Sequence, residues 1–185
     1  MTIRRPACLA LMVLLLPPAV RAQDGNQSSP PAVHVFASGG LGGGTRNTAS
    51  HLALSVNYGR SDFILRLAET SDFEICFFSC SSTPEQTSRD IALLYGRRYA
   101  ASSGWLRAAA GLGLAQVGET GTCALDIFLC GYTGTTSSSV GVAWQLDAVW
   151  TPWAALGVGA GAFGSLNSSD SFAGLALLLH LGQVR

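Results

Sequence analysis

Eight stretches of this 185-residue chain alternate apolar side chains with small or polar ones, and this pattern constrains the fold more than any other feature. The clearest stretch covers residues 140–150, where Val, Val, Trp, Leu, Ala and Trp alternate with Gly, Ala, Gln, Asp and Val. Because successive side chains of a β-strand point to opposite faces, a period of two predicts strands. The predicted strands cover residues 33–41, 51–58, 63–68, 90–100, 105–116, 140–150, 153–164 and 172–184.

The connections between the predicted strands alternate between short and long. The short ones cover residues 59–62, 101–104 and 151–152, and the long ones cover residues 42–50, 69–89, 117–139 and 165–171. This order places every short turn at one end of the sheet and every long connection at the other, as in an up-and-down barrel that spans a membrane. The predicted fold class is all-β: an eight-stranded antiparallel up-and-down transmembrane barrel over residues 33–185.

The two faces of the predicted strands favour lipid, rather than water, outside the barrel. One face is almost wholly Leu, Val, Ala, Trp and Tyr, and the other combines small residues with most of the polar ones. The interior of an eight-stranded barrel has room only for side chains, which suits the small and polar face. The apolar face then meets lipid, and the sheet must close because an unpaired edge in hydrocarbon is costly. A soluble, lipocalin-like ligand-binding barrel is the structural alternative.

The first 22 residues have the features of a secretory signal peptide, with Arg4 and Arg5 before an apolar stretch and a small residue, Ala22, at the expected cleavage site. Residues 23–32 are polar and contain proline, which predicts a flexible lead into the barrel. All 11 basic residues are arginines, against 11 acidic residues, and three of the arginines lie in the leader. The exported chain would carry a net charge of 8 − 11 = −3, so no nucleic-acid partner is expected.

Aromatic residues cluster beside the predicted short turns. Tyr and Trp are enriched where a transmembrane barrel crosses the membrane–water interface. We therefore predict an interfacial girdle at this end of the barrel, formed by Tyr58, Tyr95, Tyr99, Trp105, Trp150 and Trp153. Ordinary enrichment of aromatic residues in strands is the alternative explanation.

Several polar residues fall on the predicted inner face. They are His51, Arg66, Arg107, Gln145 and Asp147. Buried charges need partners, and Arg107 and Asp147 lie on adjacent strands, so we expect these two side chains to pair. Such a polar network would brace and plug the lumen, and a narrow water path through the lumen is the alternative.

Four cysteines of the exported chain lie in the two longest connections. An even number of cysteines in an exported protein predicts disulfides, and Cys76, Cys80, Cys123 and Cys130 allow three pairings. We favour the local pairs Cys76–Cys80 and Cys123–Cys130, while cross-loop bridges stay open because the two loops are neighbours. The spacings are not those of zinc sites and no histidine lies nearby, so no metal is expected.

The segments that the cysteines bracket are apolar, and they contain Phe77, Phe78, Ile127 and Phe128. These side chains either pack on each other over the barrel mouth or form an exposed contact surface for a partner or a lipid. Acidic residues also concentrate at this end of the barrel. They form either a solvated rim or a place for divalent cations beside lipopolysaccharide.

The sequence offers little support for a catalytic role. A hydrolase of the serine type needs a serine nucleophile within hydrogen-bond reach of a histidine base, and residues two apart on a strand share a face. None of His34, His51 and His180 has a serine two positions away. We therefore expect a non-enzymatic protein without a cofactor.

Over residues 33–185 the chain resembles the small eight-stranded outer-membrane barrels of the OmpA/OmpX-like superfamily, through its alternating segments and the order of its connections. The resemblance implies a monomer in the bacterial outer membrane, in contact with lipid and lipopolysaccharide, that is inserted by the barrel-assembly machinery. The expected function lies in envelope integrity or in surface interaction and adhesion through the long loops. A narrow passive channel and a lipid-modifying enzyme are the alternatives.

Overall fold

The computed structural model describes residues 33–72, 85–120 and 136–184, which form a closed antiparallel barrel. Its strands are β1 (Val33–Gly44), β2 (Thr48–Tyr58), β3 (Ser61–Ser71), β4 (Glu85–Ala101), β5 (Gly104–Thr120), β6 (Ser137–Trp153), β7 (Leu156–Asn167) and β8 (Phe172–Gly182). Each strand pairs with its chain neighbours, and β1 pairs with β8. The predicted eight-stranded up-and-down barrel is confirmed, while the predicted signal peptide and lead segment lie outside the described residues.

The alternation places apolar side chains on the outer surface of the barrel. Leu54, Leu112, Val142 and Leu177 are 49%, 67%, 50% and 76% exposed, whereas Ser55, next to Leu54, is fully buried. A water-soluble barrel would show the reverse arrangement, so the lipocalin-like alternative is wrong. Within the part of the chain that the structure describes, no helix has the length and hydropathy needed to span a membrane.

The first six strands extend beyond the predicted segments, and β4, β5 and β6 reach 17 residues each. By contrast, β7 is shifted three residues toward the C-terminus and β8 ends at Gly182, two residues earlier than predicted. Much of the added length lies at the long-loop end, where β4 and β5 stay paired as far as Glu85 opposite Thr120. The sequence there is mainly polar, so the apolar alternation stops before the hydrogen-bonded ladder does. Backbone hydrogen bonding, rather than side-chain patterning, sets the ends of these strands.

Two of the three predicted short turns have two residues each, at positions 59–60 and 102–103. Gly59 adopts a φ of 62°, a conformation that favours glycine. The prediction of a third turn at residues 151–152 is wrong, because β6 continues to Trp153 and the turn falls at residues 154–155. Pro152 lies instead in an irregularity of the β6–β7 pairing, where its missing N–H is tolerated.

Five of the six predicted girdle residues lie outside the barrel, toward its short-turn end. Their exposed fractions are 54% for Tyr58, 48% for Tyr95, 63% for Tyr99, 59% for Trp150 and 65% for Trp153. The prediction is wrong for Trp105, which is 5% exposed and points into the lumen. Trp105 lies two residues before Arg107 on β5, so both side chains share the inner face.

An arginine on the outer surface should destabilise the barrel. We expect Leu112→Arg to lower the free energy of unfolding by about 2–4 kcal/mol, the cost of a lipid-facing arginine at the bilayer midplane. Ser138→Arg, exposed at the long-loop end of β6, is the matched control and should cost about 1 kcal/mol or less. Urea titration in lipid vesicles measures both values, and equal costs would contradict a lipid-facing Leu112.

Candidate functional site

The centre of the lumen contains a buried ion pair between neighbouring strands. Arg107 of β5 lies opposite Asp147 of β6, and its Nε and Nη2 atoms are 2.8 and 2.5 Å from Asp147 Oδ2. Gln145 donates to the same carboxylate oxygen at 2.9 Å, and Arg107 Nη1 donates to Ser55 Oγ at 2.9 Å. The structure thus brings Arg107, Gln145 and Asp147 together and links them to β2.

A second buried ion pair joins Arg66 of β3 to Asp90 of β4, with Arg66 Nη2 at 2.5 Å from Asp90 Oδ2. Arg66 also donates to the backbone carbonyl oxygens of Trp144 at 2.6 Å and Gly164 at 3.1 Å. This side chain therefore connects β3 and β4 to β6 and β7 through the lumen. Asp90 is not among the predicted inner residues, although the outward position of Ile91 places Asp90 on the inner face.

A third ion pair, between Arg98 of β4 and Asp62 of β3, lies near the short turns. Arg98 Nη2 and Nε are 3.1 and 3.3 Å from the two carboxylate oxygens of Asp62. The guanidinium carbon lies 4.5 Å from the ring centre of Trp105 and 4.9 Å from that of Phe36, which are cation–π distances. Arg98 is not among the predicted inner residues either, although the outward position of Tyr99 places Arg98 on the inner face.

Apolar side chains fill the lumen around these ion pairs. The short-turn closure consists of Phe36, Trp105, Val149 and Val184. The long-loop closure consists of Ala49, Ala68, Phe163, Phe172, Ala176 and Leu178. A further cluster lines the inner wall from β2 to β6, with Ala53, Ile64, Ala92, Leu94, Ala109 and Ala143. The described lumen is therefore a packed interior rather than an open pore.

Two histidines lie between the short-turn and long-loop closures. The ring centre of His51 is 5.4 Å from that of Phe163, and the ring centre of His180 is 5.1 Å from that of Trp105. Both histidines are at most 4% exposed. Among the described residues, neither ring nitrogen of His180 has a hydrogen-bond partner, whereas His51 interacts with the Gln145 side chain.

A group of hydrogen-bonded side chains, here called the mouth cluster, spans the long-loop end. Arg46, between β1 and β2, donates to Asp72 at 3.0 Å, Asp170 at 2.7 Å, Gln86 at 3.1 Å and Ser88 at 3.3 Å. Ser88 donates in turn to Asp170 at 2.5 Å. The mouth cluster thus ties the β1–β2 and β7–β8 connections to the ends of β3 and β4. These two connections are shorter than predicted, with three and four residues, because the strands beside them continue further.

Contacts within the mouth cluster shift the pKa values of Asp170 and Arg46 so that both side chains stay charged. Partial burial would raise the pKa of Asp170, but hydrogen bonds from Ser88 and Arg46 and the positive charge of Arg46 together lower this pKa below its ordinary value. Burial would likewise lower the pKa of Arg46, and its contacts with Asp170 and Asp72 outweigh that effect and raise it. Arg46 and Asp170 are therefore both ionised at neutral pH.

The predicted loop features lie outside the described residues. These are the four cysteines, Cys76, Cys80, Cys123 and Cys130, and the apolar loop residues Phe77, Phe78, Ile127 and Phe128. Their disulfides and their contact surface stay predictions.

Breaking the central ion pair should destabilise the barrel strongly. Arg107→Met leaves Asp147 buried without its partner, at a cost of about 3–5 kcal/mol, and adding Asp147→Leu should recover most of this loss. Arg89→Met is the matched control, because the half-buried Arg89–Glu69 pair should contribute only about 1 kcal/mol. Urea unfolding in lipid vesicles measures all three variants. Equal losses in Arg107→Met and Arg89→Met would contradict the expectation.

Acid should remove the stabilising effect of the mouth cluster. A carboxyl group whose pKa is lower in the folded state stabilises the fold above its unfolded pKa, and this contribution is lost as the pH falls through the folded value. For Asp170 the loss should therefore begin below about pH 4. We expect the stability difference between wild type and Asp170→Asn to be constant from about pH 7 to pH 5 and to shrink in stronger acid. A pH-independent difference in unfolding titrations would argue against a lowered pKa.

No protein-family model and no curated protein matches the chain, but several solved structures do. The attachment invasion locus protein Ail of Yersinia pestis, in complex with the heparin analogue sucrose octasulfate, matches with a TM-score of 0.52 and 13% identity over 83% of this chain and 99% of that one. Neisserial surface protein A matches with a TM-score of 0.54 and 9% identity, and the match covers 80% of this chain and 94% of that one. For the N-terminal β-barrel domain of Pseudomonas aeruginosa OprF, the TM-score is 0.47 and the identity 12%.

These similarities concern the fold alone, since the sequence identities are low. Together with the closed ladder of eight strands and the apolar outer surface, they show that the chain has the architecture of the small eight-stranded outer-membrane barrels.

Proposed function

We propose that the protein is a non-enzymatic barrel of the bacterial outer membrane that acts through its long connections, in surface interaction or adhesion and in envelope integrity. The packed lumen is the observation that carries this proposal. Three arginine–aspartate pairs and two apolar closures occupy the space in which a substrate or solute would have to pass. The remaining place for contact with other molecules is the end that bears the long connections.

Export and insertion fit the same proposal. The leader of residues 1–22 would direct the chain across the inner membrane, and the apolar face of β8 would be recognised during insertion by the barrel-assembly machinery. A single barrel has no unpaired strand edge in the membrane, so a monomer suffices. Its neighbours in the membrane would be lipid and lipopolysaccharide.

The geometry of the lumen argues against the enzymatic alternative. A serine nucleophile needs a hydrogen-bonded base. In the described part of the chain, the ring nitrogens of His51 and His180 accept no hydrogen bond from a serine, and Ser55 Oγ is engaged by Arg107. The described residues therefore form no serine-type site on His51 or His180.

The chemistry of the long connections favours an apolar partner over a sulfated one. Ail was solved with a heparin analogue, which is a polyanion. The connections at residues 45–47, 72–84, 121–136 and 168–171 of this chain contain a single basic residue, Arg46, and two aspartates already bind it. The same connections contain Phe77, Phe78 and Phe128. We therefore propose that disulfide-clipped loops present these aromatic side chains to an apolar surface of a partner.

A cell-binding assay tests the loop function. Cells that express Phe77→Ser/Phe78→Ser/Phe128→Ser should adhere to host cells about tenfold less than wild-type cells, a loss equivalent to roughly 1.4 kcal/mol of contact energy. Ser81→Ala/Ser82→Ala, in the same loop, is the matched control and should adhere normally. Outer-membrane fractionation must first show equal amounts of each protein. Unchanged adhesion of the phenylalanine variant, or wild-type protein outside the outer-membrane fraction, would contradict the proposal.

Planar-bilayer recording separates the proposal from the channel alternative. The packed lumen predicts no steady single-channel steps from the purified wild-type protein. Steady single-channel conductance steps, absent from a control bilayer without the protein, would favour the narrow channel instead.

A further inference from the structure

One arginine on the outer surface of the barrel lacks the carboxylate partner that the other strand arginines have. Arg66, Arg98 and Arg107 each pair with an aspartate in the lumen, and Arg89 pairs with a glutamate. Arg97 of β4 is exposed on the outer face, and among the described residues it forms no ion pair. A cation on a surface that faces lipid is costly unless an anion lies beside it, so the position of Arg97 needs an explanation.

Arg97 lies at the level of the membrane–water interface. It lies between Tyr95 and Tyr99 on the outer face of β4, and both tyrosines belong to the aromatic girdle at the short-turn end. In the β3–β4 ladder, Arg97 pairs in register with Ser61, the first residue of β3 after the short turn. Because an aromatic girdle marks the headgroup region, the phosphates of the surrounding lipid lie at the depth of Arg97.

Three side chains at this depth, Ser61, Tyr95 and Arg97, form what we call the interface cluster. Arg97 donates a hydrogen bond to the Tyr95 hydroxyl, whose oxygen lies 3.1 Å from Ser61 Oγ. A guanidinium has five N–H donors, so the bond to Tyr95 leaves donors for a further acceptor. The cluster contains no acidic group, and its planar cation matches the geometry of phosphate oxygens. It therefore suits an anionic phosphate.

A groove on the outer surface of the barrel adjoins the interface cluster. Its volume is about 690 Å³, which lies within the range of ordinary small-molecule sites. Alanines of β5, β6 and β7 line the groove, and leucines of the same surface surround them. The four alanines are Ala108, Ala148, Ala160 and Ala162. Because their side chains are short, the surface is lower here than at the surrounding leucines, and the shape of the groove fits a hydrocarbon chain.

The groove runs from the interface into the hydrocarbon region. One lining residue, Tyr99, lies near the short-turn end of β4, and another, Leu41, lies near the long-loop end of β1. The strands between them are staggered, so the groove rises along the barrel as it crosses them. Ala108 lines the groove and pairs in register with Arg97, which places the interface cluster at the edge of the groove.

The groove and the interface cluster together select one kind of occupant. Lipid hydrocarbon is as apolar as leucine, so an apolar groove alone would bind one chain little better than another. The charge of Arg97 adds a contact that only a lipid with an anionic headgroup makes. We propose that the outer surface binds one phospholipid of the leaflet at the short-turn end, with its phosphate at Arg97 and Tyr95 and an acyl chain in the groove over Ala148 and Ala160.

Native mass spectrometry of the protein in detergent micelles, titrated with dioleoylphosphatidylglycerol, tests the phosphate contact. Arg97→Gln should require about tenfold more lipid than wild type for the same occupancy of a single bound lipid. Arg89→Gln removes an arginine at the long-loop end of the same strand, and as the matched control it should bind like wild type. Equal binding by the two variants would overturn the proposal.

Dioleoylglycerol, which has the same acyl chains without the phosphate, provides a test that needs no variant. It should bind the wild-type protein about tenfold more weakly than dioleoylphosphatidylglycerol. Equal binding of the two lipids to wild type would overturn the proposal, and this comparison decides the matter even if Arg97→Gln fails to fold.

A second pair of variants tests the groove. Ala160→Phe should fill the groove and weaken binding of dioleoylphosphatidylglycerol about tenfold. Ala37→Phe makes the same change on the outer face of β1 away from the groove, and it should leave binding unchanged. Both phenylalanines would face lipid, so the fold should tolerate both. Equal binding by these two variants would contradict an acyl chain in the groove.

Discussion

The pairing of β1 with β8 is the interaction on which the rest of the structure depends. It removes the edges of the sheet, which in hydrocarbon would leave backbone N–H and C=O groups unsatisfied at several kcal/mol each. Glycine makes the close approach possible, because a Cβ atom added at Gly40 or Gly42 would overlap the backbone carbonyls of β8. Once the sheet is closed, each side chain faces either outward or into a narrow lumen.

This separation of outward-facing from inward-facing side chains explains why the lumen contains ion pairs and is filled with side chains. The polar side chains that the outer surface excludes collect inside, where each arginine is stabilised by an aspartate on a neighbouring strand. Arg66 and Arg107 also make hydrogen bonds beyond the adjacent strand, which link distant parts of the wall. A lumen used in this way for structural contacts supports the proposal that the protein acts through its long connections.

The period of two was enough to predict the strands and their faces, because it follows directly from strand geometry. It also placed Arg107 and Asp147 on the inner face of adjacent strands, and the register of the structure then sets them opposite each other. The same alternation, applied to every residue of β4 and β5, places Asp90, Arg98 and Trp105 on the inner face. The Arg66 contact with the carbonyl of Trp144 was beyond prediction, because it depends on how the strands tilt and stagger around the barrel.

Magnetic resonance of methyl groups, with a paramagnetic label on the acyl chains of the surrounding lipid, distinguishes side chains that contact lipid from those inside the barrel. If the apolar outer surface contacts lipid, the methyl signals of Leu112, Val142 and Leu177 should broaden strongly, while those of Ile64, Leu94 and Leu178 in the lumen stay sharp. Equal broadening of both sets, or sharper signals from the first set, would contradict a barrel whose apolar face meets lipid.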